Sequence, residues 1–157
     1  MDRDAFARLV RLHQPAVSRF AGRYLRSAED RDDVVQESFL RAWSQIDRFK
    51  PGTSFVAWVL AIARFLCMAR MQDARRHPPA APLQDVADSS GDLGEDLERL
   101  RKACASLPLP MREVVALRFF DGFDYRTIAQ ITGDSEVALR SRLHDALERL
   151  RTVLAKP

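Results

Sequence analysis

The chain has 157 residues, 46% of them hydrophobic and 30% charged, with a net charge of +3. That length holds one medium domain or two small ones. No apolar run approaches the roughly 20 residues of a membrane span, and the Met1-Asp-Arg-Asp start lacks the apolar stretch of a secretory signal. Membrane insertion and secretion are therefore not expected. The two cysteines, Cys67 and Cys104, make no pairing motif, which fits a reduced, cytoplasmic setting.

Charge is unevenly spread. Residues 1–76 carry +5, residues 77–98 carry −6 and residues 99–157 carry +4. Two basic blocks around an acidic connector suit two nucleic-acid-facing domains joined by a segment that does not itself favour DNA.

In chain order, the first predicted helix runs from Arg3 to Tyr24. Phe6, Leu9, Val10, Val17, Phe20 and Tyr24 fall mostly on one face. Pro15 lies inside it and is expected to kink it or start a new turn. A second helix opens at Ser27, a capping residue with Asp30 three positions on, and runs to about Ile46. Val34, Val35, Phe39 and Trp43 form its apolar stripe. Its other face carries Asp33, Gln36, Glu37, Leu40 and Arg41. An exposed leucine among acidic, amide and basic groups reads as a protein-docking surface, and a solvated face fits the same pattern.

Pro51-Gly52 marks a turn. A third helix starts near Thr53 or Ser54 and runs to about Arg76. Phe55 and Trp58 lie within one turn of each other, and Arg64, Arg70, Arg75 and Arg76 follow. Aromatics beside arginines suit unstacked bases, each worth about 1–3 kcal/mol in stacking. The alternative is that Phe55 and Trp58 belong to the core.

Residues 77–95 are rich in proline, aspartate, serine and glycine and hold too few apolar groups to pack. They form the expected flexible linker between a 1–76 domain and a 96–157 domain. A fourth helix is predicted from Asp96 to Ser106, with Leu97, Leu100, Ala103 and Cys104 inward. Leu107-Pro-Leu-Pro breaks it, Met111 to Phe120 forms the next helix, and Asp121-Gly-Phe turns.

Residues 124–154 read as a helix-turn-helix. Asp124 caps a short helix with Ile128, Ala129 and Ile131 inward. Gly133 follows its last turn, where a left-handed residue is easiest for glycine. Ser135 caps a longer helix whose Leu139, Leu143, Ala146, Leu147, Leu150 and Leu154 recur at helical spacing. An ordinary helical hairpin shows the same periodicity. The polar N-terminal half of the second helix, with Arg140 and Arg142 early in it, favours a helix entering the DNA major groove. No stretch alternates like a strand, so the predicted fold class is all-α: two small helical domains, the C-terminal one a helix-turn-helix.

Catalytic chemistry finds no support. His13, His77 and His144 sit in three different elements. No metal-ligand spacing, Gly-rich phosphate loop or nucleophile–base pair occurs. The expectation is a non-enzyme with no metal, cofactor or small-molecule substrate.

Residues 30–43 and 49–64 together resemble region 2 of the extracytoplasmic-function (ECF) sigma factors, and residues 107–133, with the Ser-Arg-Leu-His that follows, resemble their region 4. The resemblance implies a subunit that binds core RNA polymerase and directs promoter recognition, −10 melting and transcription initiation. It places Asp33, Gln36, Glu37, Leu40 and Arg41 against polymerase. Phe55, Trp58, Arg64, Phe65, Arg75 and Arg76 would meet the single-stranded −10 element. Arg126, Thr127, Ser135, Glu136, Arg140, Ser141, Arg142, His144 and Asp145 would meet the −35 duplex. The chain ends soon after its last helix, so control is expected from a separate anti-sigma factor. Phe65, Ala69, Val137, Ala138 and Asp145 depart from the common family pattern, so the promoter sequence is not carried over from relatives. A stand-alone helix-turn-helix regulator is the rival reading; such a protein would need no polymerase contact.

Overall fold

Capping side chains set most of the helix starts. Asp2 accepts from the Ala5 N–H at 2.6 Å, Ser27 from Asp30 and Ser54 from Ala57. Each satisfies one of the donors that a helix N-terminus leaves unpaired. The computed structural model describes residues 2–77 and 94–157. The chain divides into two compact units, 1–86 and 87–157. Most of the expected linker lies outside the described residues. Every regular element among the described residues is helical.

The N-terminal unit holds α1 (Arg3–Gly22), α2 (Ala28–Ser44) and α3 (Phe55–Arg76), each packed on the other two. Val17, Phe20, Val34, Val59, Leu60 and Cys67 are buried between them, each large apolar side chain stabilising the unit by about 1.5–3 kcal/mol. Ser38 is the buried polar exception, and its hydroxyl donates to the Val34 carbonyl at 2.6 Å.

Three expectations need correction here. Pro15 does not interrupt α1. It is exposed, and the helix is anchored on both sides of it by buried Phe6 and by buried Val17 and Phe20. Helix α2 stops at Ser44, and Ile46–Arg48 forms a separate tight turn. Finally, α3 is long and apolar enough to cross a membrane. That composition is explained by a wide buried stripe, Phe55, Ala57, Val59, Leu60, Ala63, Leu66 and Cys67, facing α1 and α2.

The C-terminal unit holds α4 (Glu95–Ala105), α5 (Leu109–Val115), α6 (Tyr125–Thr132) and α7 (Glu136–Leu154). Helices α4, α5 and α6 all pack on α7, whose Leu139, Leu143, Ala146 and Leu150 are buried. Helix α5 begins at Leu109, before the predicted Met111, because Pro110 falls in the first turn, where its missing N–H costs nothing. Leu97, expected inward, is 39% exposed.

A wide π-helical turn, Ala116–Phe120, continues α5. The Asp121 N–H reaches back five residues to the Ala116 carbonyl at 3.0 Å. This extra residue in the turn was not anticipated. It leaves Phe119 and Phe120 57% and 61% exposed.

Candidate nucleic-acid and protein interfaces

The polar face of α2 is organised by arginines. Arg41 Nη2 lies 2.7 Å from Glu37 Oε1, one turn back. Arg70 reaches across from α3, with Nη1 3.2 Å from Asp30 and 3.7 Å from Asp33, and Nη2 3.8 Å from Glu37. Leu40 stands beside this cluster 61% exposed, and Asp33 and Gln36 are exposed with it. Gln36 and Leu40 also line an apolar groove between α1 and α2 that includes Phe6, Val10, Phe39 and Trp43. The α2 residues named from the sequence therefore share one surface. Arg70, expected among the base-facing arginines, belongs to that surface instead.

On α3 the aromatic residues separate. Phe55 is 9% exposed. Its ring meets Phe6 at 6.1 Å, His13 at 5.6 Å and Phe49 at 5.6 Å between centroids. A ring packed on these sides has no face left for a base, so Phe55 is a core residue. Trp58 is half-buried, against Phe49 at 5.3 Å. Phe65 is 65% exposed, with the Arg41 guanidinium 6.0 Å from its centroid. Arg75 and Arg76 are exposed at the C-terminal end of α3. Phe65, Arg75 and Arg76 are the exposed aromatic and basic side chains of this helix, with Arg64 half-buried further up. Phe49 was missed because a loop aromatic carries no periodicity.

In the C-terminal unit Asp124 accepts from the Thr127 N–H at 2.8 Å. Hydrogen bonds from Thr127, side chain and backbone, hold its carboxyl below the ordinary 3.8, helped by Arg126 and Arg118. Gly133 takes φ +80° at the end of α6, a left-handed conformation that a Cβ disfavours. Ser135 accepts from the Ala138 N–H at 3.1 Å. These caps and the glycine set the start of α7, whose first three turns carry an exposed polar face opposite buried Leu139 and Leu143. Glu136, Arg140, Ser141, His144 and Asp145 are exposed there, and Val137 is 75% exposed. Arg126 is exposed on α6.

Arg142 departs from the group. Its Nη1 lies 2.7 Å from Asp134 Oδ2, so it closes the turn and is not extended toward solvent. Arg140 is placed by contacts that the sequence did not reveal. Its Cζ is 4.8 Å from the Tyr125 ring centroid, and its Nη2 is 3.9 Å from Glu136.

A short capped helix, a left-handed glycine and a longer helix with an arginine held on its exposed face define a DNA-reading helix-turn-helix. Family models for Sigma-70 region 2 and Sigma-70, region 4 match residues 9–77 and 97–150. The sigma factor CarQ of Myxococcus xanthus is 29% identical over 98% of this chain and 91% of its own length. The ECF sigma factor SigM of Mycobacterium tuberculosis is 31% identical over 98% of this chain and 79% of its own. Among solved structures, the sigma factor RpoE of Bartonella quintana, in complex with the anti-sigma factor NepR, aligns with a TM-score of 0.79 at 28% identity. That match covers 97% of this chain and 98% of RpoE. CnrH, in complex with the cytosolic domain of CnrY, aligns at 0.70 and 29% identity over 98% of this chain and 89% of CnrH. The chain belongs to the ECF RNA polymerase sigma factors.

Proposed function

We propose that this protein docks on core RNA polymerase through α2, captures the melted −10 strand on α3 and reads the −35 duplex with α7. The observation that carries the reading is the separation of exposed chemistries: Leu40 with Asp33, Gln36, Glu37 and Arg41 on α2, Phe65 with Arg75 and Arg76 on α3, and Arg140 with its neighbours on α7.

Each surface suits its ligand. An exposed leucine inside a charged rim has the apolar centre and polar border of a protein interface. Phe65 offers a stacking face and the arginines a phosphate track, and half-buried Trp58 and Arg64 border it. Arg140 is a forked donor for guanine O6 and N7 in the major groove, and Asp145 is an acceptor for cytosine N4. Ser141 and His144 lie between them, with Arg126 at the backbone. Thr127 and Ser135 act through the caps, and Glu136 through Arg140. The protein performs no chemistry of its own in this reading: polymerase makes the transcript, in the cytoplasm. The complex of RpoE with the anti-sigma factor NepR supports a separate anti-sigma factor as the regulator.

The test is transcription in vitro by core polymerase plus this protein over a fragmented genome, with start sites sequenced. Start sites sharing two spaced elements support the reading. Failure to co-purify with core polymerase, with sequence-specific duplex binding retained, would instead favour a stand-alone regulator.

A further inference from the structure

Tyr125, in the first turn of α6, has two guanidinium groups over its ring. Arg118 Cζ, from the wide turn, lies 5.3 Å from the ring centroid, and Arg140 Cζ, from α7, lies 4.8 Å away. Arg118 is itself anchored, since its Nη1 donates to the Phe123 carbonyl at 3.1 Å. Glu136 approaches Arg140 from one turn back on α7 at 3.9 Å. The Arg140 side chain is 56% exposed. Without these neighbours a long side chain on an open helix face would sample many rotamers, and ordering it on DNA would cost entropy.

We infer that Tyr125 is a positioning residue for base readout: its ring face holds the Arg140 guanidinium in the orientation that meets a base edge. The inference rests on the −35 reading of α7. Tyr125 need not contact a base. Its effect comes from the π face, which attracts a cation whether or not the ring carries a hydroxyl. Phenylalanine should therefore replace it, and an aliphatic side chain of similar bulk should not.

The experiment uses the full chain with core polymerase on a promoter library randomised through the −35 element, with transcripts counted by sequencing. Arg140→Ala should flatten the preference at one or two base pairs. Tyr125→Leu should weaken preference at those same positions by about two- to fivefold, the range of an exposed cation–π contact. Tyr125→Phe should keep the original profile. Should Tyr125→Leu fail to fold, Tyr125→Met repeats the test. The inference is overturned if the folded aliphatic variant keeps the original preference, or if it lowers output equally for every sequence, as a purely structural residue would. If Arg140→Ala itself flattens nothing, the reading of α7 fails, and the positioning role falls with it.

Discussion

Arg142 Nη1 lies 2.7 Å from Asp134 Oδ2, with the two side chains 25% and 35% exposed. The pair joins the turn of the helix-turn-helix to the second turn of α7. Its contribution is expected to be about 1 kcal/mol, the upper end of the range for exposed pairs. Arg142→Ala should lower the denaturation midpoint of the protein accordingly, and a double-mutant cycle with Asp134→Ala should recover the coupling. Because the guanidinium is already engaged, the salt dependence of −35 binding should stay the same. A salt slope reduced by about one would instead assign Arg142 to a phosphate.

Leu40 is 61% exposed on α2 and lies outside the buried core of the unit. Leu40→Asp should leave the circular dichroism spectrum and melting temperature near their original values. It should weaken binding to core polymerase by about 2 kcal/mol or more, as loss of a desolvated anchor does. Surface plasmon resonance with immobilised core polymerase measures this directly.

Phe55 and Phe65, ten positions apart on α3, should behave oppositely. Phe55→Ala empties a packed aromatic cluster and should destabilise the N-terminal unit by about 3 kcal/mol or more. Phe65→Ala removes an exposed ring and should change stability by less than about 0.5 kcal/mol. Its cost should appear in promoter opening, read by permanganate reactivity of unpaired thymines in the −10 element.

Cys67 is fully buried, and burial pushes its thiol from 9.0 up to about 12, with Arg70 pulling weakly the other way. A raised pKa means that the folded state holds the proton more tightly than the unfolded state does. The stabilisation is therefore complete below 9.0 and lost as pH rises from there toward about 12. Urea titrations across that window should show a steeper alkaline decline than Cys67→Ala does. At neutral pH a thiol reagent should modify the partly exposed Cys104 first and reach Cys67 only on unfolding.

Much of the fold was legible because its signals are local. Ser27, Ser54, Asp124 and Ser135 announce helix starts through their own hydrogen bonds, and Gly133 announces a stop through its φ. What escaped depends on partners distant in sequence. Periodicity placed Phe55 on a helix face, but only Phe6, His13 and Phe49 decide that the face is buried. Arg70 looked like its neighbouring arginines until α2 supplied Asp30, Asp33 and Glu37. Tyr125 gave no signal at all, because its importance lies in two arginines from other elements.

The wide turn at Ala116–Phe120 makes the aim of the following motif a matter of counting. One residue advances a helix by about 100°, and a π turn amounts to one surplus residue within an α-helix. Removing a single position there, whichever side chain it carries, would let α5 run on as a regular helix. The chain would then leave it rotated by roughly a quarter turn, and Phe123 could no longer donate to the Leu117 carbonyl as it does at 3.0 Å. Substitutions in this segment should thus be absorbed more easily than a one-codon deletion. Insertions and deletions, more than changes of residue, are what would put α6 and α7 out of phase with the rest of their unit.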